Sequence, residues 1–208
     1  MEIEPPAPGE ELNEGTETVP RLAATVILLR GDARTLEVLL VRRNPEARFM
    51  GGAWVFPGGA VDRAEGEGDE ARRAAVREVF EEVGIHILDA SELVLFSRWI
   101  TPAQVKIRFD TWFYLAPVPA DATPAVDGSE IVDARWLSPS AALDAFSAGE
   151  LFMVFPTIKH LQHLAAFESA DALIAHARGR AVKPVQPRVV TSGETARILL
   201  PGEPGYDD

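Results

Sequence analysis

The sequence predicts an α/β domain in which a mixed β-sheet is flanked by helices. Three observations carry that expectation: β-rich apolar segments recur between residues 21 and 137, one acidic amphipathic helix interrupts them, and further helical stretches follow the last strand. With 208 residues and 47% hydrophobic side chains, the chain is long enough for one domain with a substantial core plus tails, and disorder throughout is excluded.

Residues 1–19 combine Pro, Gly and Glu with few large apolar side chains and read as a mobile tail. The domain proper spans residues 20–181. Arg21 to Arg30 is apolar and β-rich, Gly31-Asp32-Ala33-Arg34 supplies turn chemistry, and Leu36 to Arg42 begins a second strand, which together make a hairpin. Trp54-Val55-Phe56 is a short strand that Pro57, lacking an N–H for the ladder, should end. Residues 70–83 form the acidic helix. Leu93 to Ile100, Ile107 to Val118 and Glu130 to Leu137 read as strands. Ser138-Pro139 starts a helix, with Ser as cap and Pro in the first turn; Pro156 opens another to about Phe167, and Ala170 to Arg178 is a third. Residues 182–208 are rich in Pro and Gly. Within them Arg188-Val189-Val190 and Ile198-Leu199-Leu200 form either a small hairpin on the domain or a contact with a second subunit of a homodimer.

Composition narrows the function. The absence of cysteine excludes disulfides, thiolate nucleophiles and sulfur-built zinc sites. His86, His160, His163 and His176 lack metalloprotease spacing, and partly exposed positions are the ordinary expectation for His160 and His163. A formal charge of −12 argues against a nucleic-acid polymer as partner, because a phosphate backbone needs a basic track. A small phosphorylated substrate is compatible if divalent metal supplies the positive charge. The N-terminus lacks a secretory h-region, and the apolar run Leu22 to Leu29 is far too short to span a membrane. A cytoplasmic location with no membrane partner is expected.

Within residues 70–83, Glu78, Glu81 and Glu82 are related as i, i+3 and i+4 and share one helical face. Their mutual repulsion, a few tenths of a kcal/mol per pair, is a cost that a cation would offset. Val76, Val79, Phe80 and Val83 gather on the opposite arc, which should face the core. Ala71, Ala74 and Ala75 fall near the carboxylates, where small side chains would leave room for metal and substrate. A solvated acidic face is the plain alternative. The preceding Phe56-Pro57-Gly58-Gly59 and the Arg77-Glu78 pair weigh against it.

These residues resemble the Nudix hydrolase family, whose box reads G-x5-E-x7-R-E-U-x-E-E-x-G-U, with U aliphatic. The second half is complete from Arg77 to Ile85. The first half departs: Asp69 stands where the family has Glu, and residues 60–68 separate it from Gly59, a longer spacer than the family's. The extra length lies in residues 62–68, a Gly-rich acidic loop whose closure costs little more entropy. Asp69 is equally a helix N-cap candidate, with Glu70 in the first turn.

The resemblance implies an α/β/α sandwich around a mixed sheet, here with extra C-terminal helices, and metal-dependent hydrolysis of a nucleoside diphosphate linked to another group. Mg²⁺ or Mn²⁺ would be held by Glu78, Glu81 and Glu82, with a backbone carbonyl near Gly58 or Gly59; an oxygen-only donor set suits these hard ions. Arg77 would orient a carboxylate, with Glu81 as its candidate partner. Glu78 and Glu130, the latter in Gly128-Ser129-Glu130-Ile131-Val132, are alternative acceptors of the water proton, and a plain surface-loop position is the competing reading for Glu130.

Leu39-Leu40-Val41-Arg42-Arg43-Asn44, then Arg48, Gly52 and Phe56-Pro57-Gly58-Gly59, resembles the coenzyme A motif of one Nudix branch. Spacing is kept throughout; Val41 replaces Thr, and Asn44 replaces Ser or Ala. Arg98-Trp99-Ile100-Thr101-Pro102 and Arg108-Phe109-Asp110-Thr111 also look like the peroxisomal-type coenzyme A diphosphatases. The implied substrate is coenzyme A or its thioesters, cleaved to 4′-phosphopantetheine and adenosine 3′,5′-bisphosphate. Arg43 and Arg48 would bind phosphate oxygens bidentately beside Gly58 and Gly59; as surface charges they would instead pair with Glu46 or Glu37. Trp54 and Phe56 read as core. A dinucleotide or nucleotide-sugar hydrolase is the alternative enzyme. A non-catalytic nucleotide-binding module is disfavoured because all three box glutamates are kept.

Overall fold

The sheet grows from β1 (Arg21–Asp32), whose residues 23–29 are buried apart from Thr25, as a strand covered on both faces requires. The computed structural model describes residues 12, 13, 15–61, 69–192 and 195–207. In chain order β1 is followed by β2 (Thr35–Arg43), β3 (Trp54–Val55), β4 (Gly58–Ala60), the helix α1 (Glu70–Val83), β5 (Val94–Ile100), β6 (Phe109–Pro117) and β7 (Ile131–Leu137). Three helices come next, α2 (Pro139–Ser147), α3 (Phe155–Leu164) and α4 (Ala170–Arg178), and then β8 (Pro184–Val185), β9 (Arg188–Ser192) and β10 (Thr195–Leu199).

The sheet order is β3-β2-β1-β6-β5-β8, with β4 also on β1 and β7 on β2. β1 runs parallel to β6 and β5 parallel to β8, while the other pairs are antiparallel, so the sheet is mixed as expected. Alternation along β1 divides the core. Ile27 and Leu29 face a layer containing Ile158, Leu161, Leu164 and Leu173 of α3 and α4, whereas Val26 and Leu28 face Ala74, Ala75, Val79 and Val83 of α1. Trp54 and Phe56 are core residues, as expected. Ser138 caps α2, its Oγ accepting from Ala141 N at 3.1 Å. Among the described residues no helix is long and apolar enough to cross a membrane.

Several expectations need correction. β3 stops before Pro57 as expected, but the glycines are not a turn: β4 follows at once and pairs Gly58, Gly59 and Ala60 with Thr25, Ala24 and Ala23. Proline lacks only a donor, and its carbonyl accepts from Val26 N at 2.9 Å. The strand expected from Ile107, β6, begins at Phe109 rather than Ile107, which is exposed. Its start is set by Arg108, whose buried guanidinium is bound by Glu17 Oε1 at 2.5 Å, Thr18 O at 2.6 Å and Thr101 O at 3.1 Å. The described part of residues 1–19 therefore has fixed contacts, including Asn13 N to Gln104 O at 2.7 Å. The segments around Val190 and Ile198 need no correction: they pair as the antiparallel β9–β10, the first of the two expected arrangements.

His160 is not partly exposed; only 2% of its surface is accessible. It lies among Phe56, Phe96, Trp99 and Phe113, with Nδ1 2.6 Å from Pro156 O and Nε2 2.6 Å from Ser97 Oγ. Burial lowers its pKa to about 4, despite the Pro156 carbonyl. A histidine depressed below its usual value of about 6.5 stabilises the fold above that pH and loses the contribution as pH falls toward 4. Acid unfolding of the His160→Gln variant should accordingly show a shallower loss of Tm between pH 6.5 and 4 than the parent; an unchanged slope would contradict the assignment.

Candidate active site

The helix α1 meets β4 through small residues. Ala71, Ala74 and Ala75 do not leave open space above the carboxylates; they are buried against the sheet and let the helix backbone approach it closely. The inward face consequently includes Glu82 and Glu78 alongside Val79 and Val83. Phe80, expected in the core, is 48% exposed and packs on His86 with ring centroids 4.4 Å apart. Asp69 occupies the N-cap position of α1, but its side chain makes no cap hydrogen bond and instead lies 3.5 Å from Arg72 Nε. The lengthened loop, residues 62–68, falls outside the described residues.

Glu82 is 5% exposed, and its Oε2 accepts from Gly58 N at 2.9 Å. A Cβ on Gly59 would lie 2.4–2.6 Å from the Glu78 carboxylate, so only glycine leaves that carboxylate in its place against the strand. Arg77 Nη1 bridges Glu78 Oε1 at 2.8 Å and Glu81 Oε2 at 2.9 Å, and Nη2 donates to Ala60 O at 3.3 Å. The Arg77–Glu81 pair matches the sequence expectation, and the contact with Ala60 O ties the helix to the end of β4.

Burial pushes Glu82 up to about 8; the Gly58 N–H opposes this, the Glu78 and Glu130 charges add to it, and Arg43 opposes it. Burial likewise raises Glu78, against its contact with Arg77. The Glu130 charge thus acts on both Glu78 and Glu82, and the Arg43 charge on Glu82, which places Glu130 near the pair and Arg43 near its buried member. A carboxyl raised in the folded state stabilises fully below its unfolded pKa of about 4.5 and ceases to do so as pH climbs through about 8. In chelator, Tm should fall across that window, and Glu82→Gln should flatten the decline. An identical slope in the variant would remove Glu82 as its source.

Arg43 ends β2, with Nε 3.3 Å from Phe49 O. Its backbone closes the following loop through Gly52 N to Arg43 O at 3.2 Å and Arg43 N to Ala53 O at 3.0 Å. Arg48 is exposed on that loop and forms no ion pair with a described residue. The alternative pairing through Glu37 is not made, because Glu37 binds Arg30 at 2.7 Å. Arg98 and Asp110 form a pair across β5 and β6, with Arg98 Nε 2.8 Å from Asp110 Oδ1.

Asp127 was not singled out from sequence. Its Oδ2 accepts from Ser129 N at 2.9 Å and Glu130 N at 2.8 Å, its Oδ1 accepts from Ile131 N at 2.8 Å, and Ser129 Oγ also donates to it. Burial raises its pKa, but these hydrogen bonds outweigh that and hold it at about 2. The available signal was Asp-Gly-Ser-Glu, an Asx-turn sequence before a strand.

Among the described residues no three carboxylate or imidazole side chains converge as a preformed metal cage. The residues nonetheless fit a hard divalent cation. Buried Glu82 and half-buried Glu78 are both costly to ionise, the Glu78 charge adds to the cost at Glu82, and their donor atoms are all oxygen. Glu81 has its Oε2 on Arg77.

Glutamates on one helix that meet a glycine strand of a mixed sheet are suited to holding a hard cation beside a phosphate. The NUDIX domain matches residues 19–154, and the chain belongs to the Nudix family. It is accordingly a pyrophosphohydrolase of a family that generally uses divalent metal ions and acts on small nucleotide derivatives. A Caenorhabditis elegans protein bearing the name nudix hydrolase 7 is 31% identical over 227 aligned positions, which cover 90% of this chain and 75% of that protein. The human acyl-coenzyme A diphosphatase is 30% identical over 116 positions, covering 53% of this chain and 31% of that one. A NAD-capped RNA hydrolase of Pseudomonas aeruginosa is 33% identical over 129 positions, covering 61% and 40% respectively. The chain therefore spans less than half the length of the last two. The crystal structure of a NUDIX hydrolase from Alicyclobacillus acidocaldarius superposes with a TM-score of 0.67 at 27% identity, covering 76% of this chain and 96% of that one.

Proposed function

We propose that the chain hydrolyses the diphosphate of coenzyme A or its thioesters, releasing 4′-phosphopantetheine and adenosine 3′,5′-bisphosphate. The observation that carries this reading is the arrangement of the coenzyme A-like segment: Arg43, Arg48 and Gly52 lie on one closed loop that returns through Trp54 to Gly58 and Gly59, against Glu82 and Glu78. The human acyl-coenzyme A diphosphatase among the relatives supports the same substrate class.

Glu78 and Glu82, with Glu81 beside them, would hold Mg²⁺ or Mn²⁺. A bound divalent ion supplies charge neutralisation at the diphosphate and makes an attacking water more acidic. Arg43 and Arg48 bind phosphate oxygens and fix the substrate's register. Glu130 takes the proton of the attacking water, with Glu78 as the alternative acceptor. Arg77 holds Glu78 and the β4 carbonyl of Ala60 in register, and so acts as a positioning residue.

Product analysis tests the reading. Purified protein with Mg²⁺ or Mn²⁺ is incubated separately with coenzyme A, dephospho-coenzyme A, a dinucleotide and a nucleotide sugar. Adenosine 3′,5′-bisphosphate forming fastest from coenzyme A is the expected result; turnover confined to the other substrates would discard the coenzyme A assignment and keep the box chemistry. The NAD-capped RNA hydrolase relative and the two motif departures, Val41 and Asn44, favour another nucleoside diphosphate derivative as the second reading.

A further inference from the structure

The loop between residues 125 and 131 is bound more thoroughly than a surface connection requires. Ala125 N donates to Val83 O at 2.8 Å and Asp127 N to Glu82 O at 3.2 Å, so the loop is stitched to the last turn of α1. Gly128, with φ of 78°, turns the chain, and its N–H reaches Ile131 O at 2.9 Å. Inside that turn the Asp127 carboxylate gathers the N–H groups of Ser129, Glu130 and Ile131. From the other side Asn44 N donates to Glu130 O at 2.8 Å, and Asn44 Nδ2 donates to Ser129 O at 2.8 Å. Asn44 Oδ1 meanwhile accepts from Glu46 N at 2.9 Å, which fixes the start of the Arg48 loop.

Glu130 thus has its N–H held by one side chain and its carbonyl held by the backbone of Asn44, while its own carboxylate makes no hydrogen bond or ion pair to a described residue. A short exposed loop held this way fixes the backbone of Glu130, and so the point from which its free carboxylate reaches. The Asn44 that departs from the coenzyme A-like motif is one jaw of the arrangement: Ser or Ala could not span to Ser129 O while also capping Glu46.

We infer that Asp127 and Asn44 are positioning residues that clamp Glu130 over the box glutamates and couple its placement to the Arg43–Arg48 loop. The inference rests on the reading of Glu130 as proton acceptor. The clamp limits the rotational freedom of the Glu130 backbone, so its loss should appear in the chemical step more than in substrate binding.

The test is a double-mutant cycle on the full chain with the substrate identified by product analysis. Asp127→Ala is expected to lower kcat about tenfold with KM within about threefold, and Asn44→Ala to lower it less, in the same direction. Glu130→Gln should cost about 100-fold, and adding Asp127→Ala to it should cost little more, because a clamp has nothing to position once the carboxylate is gone. Asp127→Asn, which keeps an acceptor oxygen, should recover part of kcat. Additive losses in the double variant would mean a merely structural role and overturn the clamp. A near-parental Asp127→Ala with a crippled Glu130→Gln would also overturn it while leaving Glu130 in place. A near-parental Glu130→Gln would overturn the acceptor reading and the clamp with it. If Asp127→Ala does not fold, the same cycle with Asn44→Ala decides.

Discussion

Replacing Glu82 by Gln is expected to lower turnover by at least about 100-fold while leaving the metal-free protein as stable as before or more so. The two effects separate because of where Glu82 sits. Its carboxyl is buried, and its Oε2 takes the Gly58 N–H at 2.9 Å, a bond the Gln carbonyl can accept in its place. At neutral pH the folded, metal-free protein keeps this group largely protonated, so a neutral isostere removes a group that is costly to ionise rather than a favourable charge. What the variant loses is the anionic oxygen that a cation needs. Steady-state kinetics with Mg²⁺ or Mn²⁺, beside thermal melts in chelator, measure both. Near-normal turnover would remove Glu82 from the metal site; a fall in Tm would mean that the carboxylate has a structural partner beyond Gly58.

The two glycines of β4 should respond in opposite ways to Ala. At Gly58 an added Cβ would lie 2.3 Å from Ala24 O and 2.6 Å from Thr25 Cα, on a residue with φ of 151°. Backbone cannot move aside cheaply, and the conformation is unfavourable to any L side chain, so Gly58→Ala should cost about 2 kcal/mol or more. At Gly59 the added Cβ meets only the end of a flexible side chain, the Glu78 carboxylate at 2.4–2.6 Å. The carboxylate swings away, the fold survives, and activity falls by about tenfold or more. Denaturant unfolding together with initial rates distinguishes the pair. Equal losses of stability in both variants would contradict the freedom of the Glu78 carboxylate to swing away from Gly59.

Much of this fold was legible in the chain because the strongest local signals agreed with the tertiary result. The helix over residues 70–83 matches α1, and the paired segments before and after Ala33-Arg34 match β1 and β2. Ser138-Pro139 marked α2 through a cap chemistry that needs no tertiary context. The helical wheel of α1 was less informative. Periodicity placed the glutamates together but could not say which arc met the sheet, and alanine is read as empty space or as close packing with equal ease. The structure resolves it as close packing, which buries Glu82 and leaves Phe80 outside. β4 was invisible because proline and paired glycines read as a turn; only its partner β1 turns them into a strand. The box glutamates and Arg43 were found as a linear pattern. Asp127 was missed because its role is to bind the backbone of its neighbours in a loop, a function composition does not flag.

The most direct test of the central claim, that the Glu78–Glu82 pair holds a divalent cation, is calorimetric titration of Mn²⁺ at pH 7 in two buffers of different ionisation heat. With Glu82 near 8 in the metal-free protein, cation binding must displace its proton. The account predicts binding accompanied by release of roughly one proton per site, with that release abolished in Glu82→Gln. Binding without proton release, or the same release in the variant, would contradict it.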